Sequence, residues 1–299
     1  MREKTRRHQQ LEILHARYML PAYEKDELHK LEAGFIGELE FDGIIEPFIK
    51  GSNIIHIKDY SFHPEDVLGR STKSREDASH VQLDNVVVAK DFLYTFEIKN
   101  YSFDLIYKDG KWYFENGSEF ASPLLQVARQ RDMLGKMLYG FGSDIRMFNV
   151  VVFINANQTI FNLPAAGEII VRSNLHKKLS KAMAGNHYDH SRLVSRLEER
   201  KIDVVKYQRD TTVEFRELAK GVFCKGCGRK LMRRNRDWFR CAPCGVDIPI
   251  LDAARRLIHE LKVLNRSWKV TPSLVQAFSD GEISEFYVRS NVKRGRLGL

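Results

Sequence analysis

V81-Q-L-D-N-V-V-V88 and, three residues on, F92-L-Y-T-F-E-I-K-N100 decide the reading of this chain. Both segments are rich in Val, Phe, Leu and Tyr at strand length, and the A89-K-D91 break between them suits a tight connection, so the pair reads as a β-hairpin. Side chains alternate along a strand, which sets Glu97 and Lys99 on one face and Phe96 and Ile98 on the other. Asp84 lies on the neighbouring strand. Three charged groups inside an apolar hairpin are costly to bury without a ligand. Two carboxylates and an ammonium meeting at a sheet edge have the composition needed to hold a divalent cation against a phosphodiester.

Working outward, E24-K-D-E-L-H-K-L-E-A-G-F-I-G-E-L-E-F41 has Leu28, Leu31, Phe35 and Leu39 at helical spacing. N53-I-I-H-I-K-D-Y60 alternates like a first strand, and the polar, periodless 67–80 reads as a loop. D109-G110 and N116-G117 flank K111-W-Y-F-E115 and suggest a further turn and strand of a meander. Ser122 and Pro123 open a helix as N-cap and N1, and M147-F-N-V-V-V-F-I154 is the apolar run of a buried strand. Helix, strands, helix, strand in that order predicts an α/β layer with a mixed sheet. Beyond it, 173–185 carries an N-cap Ser and a terminal Gly, residues 189–200 and 211–220 are expected to be helical, and another helix starts near Asp252.

These elements resemble, in order, the nuclease-related domain (NERD) of the PD-(D/E)XK nuclease superfamily. The residues carrying the resemblance are G34-F-I-G-E38, Q82-L-D-N-V-V-V88, F96-E-I-K-N-Y101, Trp112 and S122-P-L-L-Q126, across roughly residues 25–155. The resemblance implies a restriction-endonuclease-like mixed sheet flanked by helices. By matched position it makes Asp84 and Glu97 the ligands of Mg²⁺ or Mn²⁺ and Lys99 their electrostatic partner. Glu38 becomes an outer acidic residue from the preceding helix, and Gln126 reaches in from the helix behind the sheet. The chain departs from the family with Leu83 in place of a proline, and with Ser102 and Phe103 where a glycine often follows the lysine strand. The chemistry stands beside the family. Mg²⁺ takes oxygen ligands and keeps several waters, so two carboxylates plus phosphate oxygens suffice, and a nearby ammonium adds charge where negative charge develops.

Cys224-x2-Cys227 and Cys241-x2-Cys244 are separated by thirteen residues, and Gly228 and Gly245 follow the two pairs. That spacing predicts a closed, structural Cys₄ zinc site in a zinc ribbon. Between Cys224 and Cys244 lie seven Lys and Arg residues against Asp237 alone, a large share of the net charge of +9. K230-L-M-R-R-N-R-D-W-F-R240 reads as a hairpin around N235-R-D237 with two meanings open. Either Arg233, Arg234, Arg236 and Trp238 contact nucleic acid through guanidinium and ring, or Trp238 fills the small core and the arginines solvate it.

The tail V270–R294 outlines two short helices joined at S279-D-G281, with Thr271 and Ser284 as caps. It has the form of a helix-turn-helix or of a packing hairpin. H187-Y-D-H190 has metal-like spacing but lacks partner ligands. No phosphate-binding glycine loop is present, which argues against intrinsic NTP hydrolysis. Without an apolar leader or a bilayer-length apolar run the chain reads as cytoplasmic, with no membrane partner. The expected organisation is a nuclease-like domain at 1–165, a helical connector at 166–220, the ribbon at 221–250 and a helical C-terminal region at 251–299. The expected function is Mg²⁺-dependent hydrolysis of DNA aided by the ribbon. The competing expectations are a non-catalytic nucleic-acid-binding or regulatory protein that keeps the fold, and a protein-interaction module.

Overall fold

The computed structural model describes residues 2–63, 80–164, 167–185, 189–204 and 210–299. Residues 67–79 of the expected loop, and His187 and Tyr188 of H187–H190, lie outside the described residues. By compactness the chain divides into two units, one of Met1–Glu3 with Lys30–Tyr207, the other of Lys4–His29 with Gln208–Leu299.

The first unit is a mixed α/β sheet flanked by helices, as the sequence predicts. Its five strands are β1 (Ile55–Phe62), β2 (Val81–Ala89), β3 (Phe92–Lys99), β7 (Arg146–Phe153) and β9 (Ile169–Val171), in that spatial order. β1, β2 and β3 run antiparallel, with β2 and β3 joined at Lys90 and Asp91, and β3, β7 and β9 run parallel. The parallel step from β3 to β7 requires a crossover, supplied by α3 (Pro123–Gly140). On one face, Phe96, Ile98, Val150 and Val152 meet Phe41 and Ile45 of α2 (Ala22–Ile49) and Leu175 and Leu179 of α4 (Arg172–Met183). On the other, Val86, Val88 and Leu93 meet Leu134, Met137 and Leu138 of α3 and Leu197 of α5 (Ser191–Arg200).

Several elements differ from their expectation for identifiable reasons. α2 runs to Ile49 because Phe41 and Ile45 continue its buried stripe. K111–E115 does not extend the hairpin's sheet. It forms β5 (Lys111–Phe114) of a separate four-stranded sheet with β4 (Leu105–Lys108), β6 (Glu119–Phe120) and β8 (Ile160–Phe161), built around the fully buried Trp112. α4 starts at Arg172 after Val171, so Ser173 lies within its first turn instead of capping it. Within the stretch given to a connector, I169-I-V171 adds β9 to the main sheet, and α4 packs on it. Residues 211–220 hold only a 3-10 turn, Phe215–Glu217, since the β-branched run Thr211, Thr212, Val213 disfavours a helix start.

The second unit contains α1 (Arg6–Arg17), α6 (Ile250–Leu264), α7 (Pro272–Phe278), α8 (Glu285–Lys293) and a three-stranded sheet of β10 (Met232–Arg233), β11 (Trp238–Arg240) and β12 (Asp247–Pro249). Thr271 and Ser284 cap α7 and α8 through their hydroxyls. Arg17 fastens α1 to this unit: its guanidinium donates to Glu260 Oε2 (2.7 Å) and to the Ala219 carbonyl (2.9 Å), with Phe278 4.0 Å from its centre. Among the described residues no helix is long and apolar enough to cross a membrane.

Candidate functional site

The β2–β3 ladder runs from Ala89↔Phe92 to Asn85↔Phe96 and stops. Beyond it β3 continues along β7 to Lys99, while β2 continues along β1 to Val81. The sheet therefore forks at Asp84 and Glu97. At the fork a side chain replaces a ladder bond: the Ile98 N–H donates to Asp84 Oδ2 at 2.8 Å. A second break faces it on β1. Lys58↔Asn85 and Tyr60↔Leu83 pair, but Asp59, opposite Asp84, takes a φ of +50° and leaves the ladder. Such a conformation is uncommon for a residue with a Cβ and collects at functional positions.

Glu97 is only 5 % exposed and fully engaged. Its Oε1 accepts from Lys99 Nζ (2.7 Å) and Gln126 Nε2 (2.6 Å), and its Oε2 accepts from Gln130 Nε2 (3.0 Å). Gln126 Oε1 accepts from Lys99 Nζ in turn, at 2.9 Å. The amide thus fixes both charged partners. Gln126 and Gln130 are one helical turn apart on α3, so both face the site. Gln130 is not singled out by the sequence reading. Its signal is the Gln-x3-Gln spacing on a helix already expected to face the strand.

Two motif positions hold the frame. Asn100 Nδ2 donates to the Ala33 carbonyl of α2 at 2.8 Å. A Cβ on Gly37 would lie 2.7 Å from Asn100 Cβ and 3.0 Å from Ile154 Cγ2. Glycine there lets α2 approach the end of β3, which brings Glu38 into the neighbourhood. Glu38 does not join Asp84 and Glu97 around one point: among the described residues the three carboxylates do not gather within 4.8 Å. Glu38 Oε2 instead accepts from Arg2 Nη1 at 3.1 Å. Arg2 is the second group sequence reading misses. It also binds Asp42, Asp59, Asn85 and the Asp84 carbonyl, while Lys58 Nζ donates to Asp42 Oδ2 at 2.7 Å.

Burial, followed by the charges of Glu97 and Glu38, pushes the Asp84 carboxyl well above the usual carboxylate range, against the pull of the Ile98 N–H and Lys99. Burial works against the Lys99 ammonium, but the charge and hydrogen bond of Glu97 prevail and raise it. Burial raises Glu38 to about 7, against Arg2 and helped by Asp59, Asp42 and Glu97. Among the described residues, the cations hydrogen-bonded to the carboxylates of this cluster (Glu38, Asp42, Asp59, Asp84 and Glu97) are Arg2, Lys58 and Lys99, so with all five ionised the carboxylates outnumber them by two. The deficit of two charges suits one hard divalent cation with oxygen ligands.

Glu38 gives a pH test. A carboxyl raised in the folded state binds its proton there when the unfolded chain has released it, so its contribution to stability falls as pH rises from about 4.5 to about 7. The shift corresponds to roughly 3 kcal/mol. Glu38→Gln should therefore gain on the wild type by up to that amount between pH 4.5 and 7.5 in urea unfolding. A constant difference over that range would show that Glu38 ionises normally.

In the second unit the four cysteine sulfurs lie within 4.8 Å of one another, with Cys227 Sγ and Cys241 Sγ 3.4 Å apart. Zn–S bonds of about 2.3 Å in a tetrahedron need sulfurs roughly 3.8 Å apart, so the set is compatible with structural zinc. The two knuckles match. Gly228 and Gly245, both at φ +69°, donate to the Cys224 and Cys241 carbonyls at 2.9 Å. The hairpin's core residue is Phe239, fully buried, whereas Trp238 is 40 % exposed. Arg233 folds onto the Asn235, Arg236 and Glu282 carbonyls, and Arg234 pairs with Asp247.

No curated protein and no solved structure matches the chain. A family model, described as nuclease-related domain, matches residues 33–154, the segment from α2 through the end of β7 that holds the fork, Glu97 and both glutamines. The chain therefore carries a nuclease-related domain of the NERD family at residues 33–154.

Proposed function

We propose that this domain hydrolyses phosphodiester bonds of DNA, using Mg²⁺ or Mn²⁺ held by Asp84 and Glu97. The observation that carries the reading is the forked sheet, which brings the buried Asp84 and Glu97 carboxyls together beside Lys99, in a domain related to nucleases. When bound, such a cation supplies positive charge to phosphate oxygens and acidifies water. The side chains do the rest. Lys99 brings an ammonium to the phosphate, steered by Gln126 and Glu97. Gln130 and Gln126 hold the Glu97 carboxylate in one rotamer, so both of its oxygens are positioned before substrate arrives. Glu38, tied to Arg2, serves as an outer charge.

The test is incubation of the full chain with supercoiled plasmid, linear duplex, single-stranded DNA and RNA, with Mg²⁺, Mn²⁺ or EDTA. Metal-dependent cleavage of DNA is expected. Intact substrates under every metal would reject hydrolysis and favour the non-catalytic binding protein.

In the same proposal the ribbon contributes nucleic-acid contacts through Arg233, Arg234, Arg236 and Trp238. The exposure of Trp238 supports a ring available for stacking. Arg236 has no ion-pair partner among the described residues, while Arg234 is paired with Asp247. Arg236→Ala should therefore lower the slope of log affinity against log salt by about 1, and Arg234→Ala by less. Equal slopes for wild type and Arg236→Ala would remove Arg236 from the contact.

A further inference from the structure

The least expected side chain in the first unit is Arg2, a guanidinium 5 % exposed and 82 residues away in sequence from the strand it grips. Nη1 donates to Asp59 Oδ1 (2.6 Å) and Glu38 Oε2 (3.1 Å), and Nε donates to Asp42 Oδ2 (3.3 Å). Nη2 is shared among the Asp84 carbonyl (3.0 Å), Asn85 Oδ1 (2.9 Å) and Asp42 Oδ1 (3.4 Å). A buried charge persists only when it is paired and its donors are used, and here every nitrogen of the fork has an acceptor.

The location matters more than the number of bonds. Asp84 and Asn85 are the two residues at which β2 leaves β3, and Asp59 is the residue at which β1 leaves β2. Arg2 occupies that second break. It takes the Asp84 carbonyl and neutralises Asp59, whose positive φ would otherwise carry an unpaired carboxylate. Asn85 is fully buried, and its Oδ1 is also 2.8 Å from His56 Nε2. The Asp84 backbone is thus gripped from the Arg2 side, while its carboxylate is held from the Ile98 side.

We propose that Arg2 is the positioning residue for Asp84: its guanidinium is the fixed counter-charge of Glu38, Asp42 and Asp59 and sets the direction in which the Asp84 carboxylate leaves β2. This rests on the proposed metal-dependent function and adds a consequence to it. Glu38, Asp42 and Asp59 are already served by Arg2 and Lys58, so the cleft takes a single exchangeable divalent ion. Lysine cannot replace Arg2 fully, because a compact ammonium has three donors and lacks the planar fork that reaches carbonyl, amide and carboxylates together.

The experiment is Mn²⁺ titration of the zinc-loaded full chain by electron paramagnetic resonance, with wild type, Arg2→Ala, Arg2→Lys and Asp84→Asn. One Mn²⁺ that disappears in Asp84→Asn is expected. Arg2→Ala should weaken it about 10- to 100-fold, the range for losing an outer partner of a metal ligand, and added methylguanidinium should restore it. Arg2→Lys should fall between, with its unfolding temperature near that of the wild type. The Ile98 amide, whose proton goes to Asp84, supplies a readout that needs no metal: its NMR shift and exchange protection should change in both Arg2 variants. Wild-type Mn²⁺ affinity in folded Arg2→Lys and Arg2→Ala, or an unchanged Ile98 amide, overturns the proposal. If Arg2→Ala does not fold, Arg2→Lys decides by the same criteria. Unfolding of both makes Arg2 a structural pin and overturns the positioning role. If Asp84→Asn leaves Mn²⁺ binding intact, the metal assignment fails while the Ile98 amide still decides the role of Arg2.

Discussion

Asp84→Asn is expected to lower metal-dependent cleavage by about 10²- to 10³-fold, the scale of removing one preorganised charge-stabilising group, while making the metal-free protein more stable. The two effects share one cause. Asparagine keeps the shape of the side chain and an oxygen for the Ile98 N–H, so the fork survives. What disappears is a negative charge that burial, Glu97 and Glu38 all disfavour. A carboxyl raised in the folded state subtracts stability once pH exceeds its unfolded value, so its removal adds stability at neutral pH. In EDTA the variant should therefore unfold at a higher temperature than the wild type, and the gap should close on acidification, when Asp84 takes up its proton. With saturating Mn²⁺ the order should reverse, because only the wild type has a ligand that the ion stabilises. Such opposition between stability and activity is characteristic of sites built from strained charge. Cleavage at the wild-type rate, measured on the substrate the wild type cuts best, would remove Asp84 from the chemistry.

Local chemistry made part of this architecture legible in advance. The hairpin of β2 and β3, the Ser122-Pro123 start of α3, the apolar β7, the caps of α7 and α8 and the cysteine knuckles all depend on residues within a few positions of one another. Gln126 followed only from family resemblance, yet it meets Lys99 and Glu97 directly. The features that escaped are those decided by distant segments. β9 is three residues long, too short to carry a periodic signal, and its strand identity comes from pairing with β7. Whether β5 extends the hairpin's sheet or starts another depends on β8, nearly fifty residues downstream. Arg2 sits among ordinary basic residues in sequence, and nothing within its neighbourhood says that it is buried. Trp238 and Phe239 are adjacent, so one must face in and the other out, and composition does not say which. The same logic explains why the charged triad was found without its support. A strand pattern reveals Glu97 and Lys99 on one face, but the amides that fix them arrive from α3, and the cations that balance the neighbouring acids arrive from β1 and the N-terminal segment.

Cysteine replacement should have the larger structural effect, confined to the second unit. The three-stranded sheet of β10, β11 and β12 offers ladders of two and three residue pairs around Phe239, too little apolar burial to hold such a sheet alone. Its shape is imposed at the two knuckles, where Gly228 and Gly245 turn the chain so that four sulfurs converge. Backbone N–H groups of Cys227 and Gly226 lower the Cys224 thiol to about 7, while the neighbouring sulfurs raise Cys244 to about 12, so zinc must displace protons from the cluster to bind it as thiolates. Structural zinc in small modules is worth about 10–16 kcal/mol, far more than these ladders supply. Cys241→Ser, or prolonged chelation, should therefore release one zinc per chain and unfold the hairpin. Loss of the near-ultraviolet circular dichroism of Trp238 and rapid proteolysis between Lys230 and Arg240 should accompany it. The first unit has its own apolar clusters on both sheet faces and should keep its cooperative unfolding transition. A Cys241→Ser chain that retains the Trp238 signal and resists cleavage after zinc removal would show that side-chain packing, and not metal, holds the ribbon.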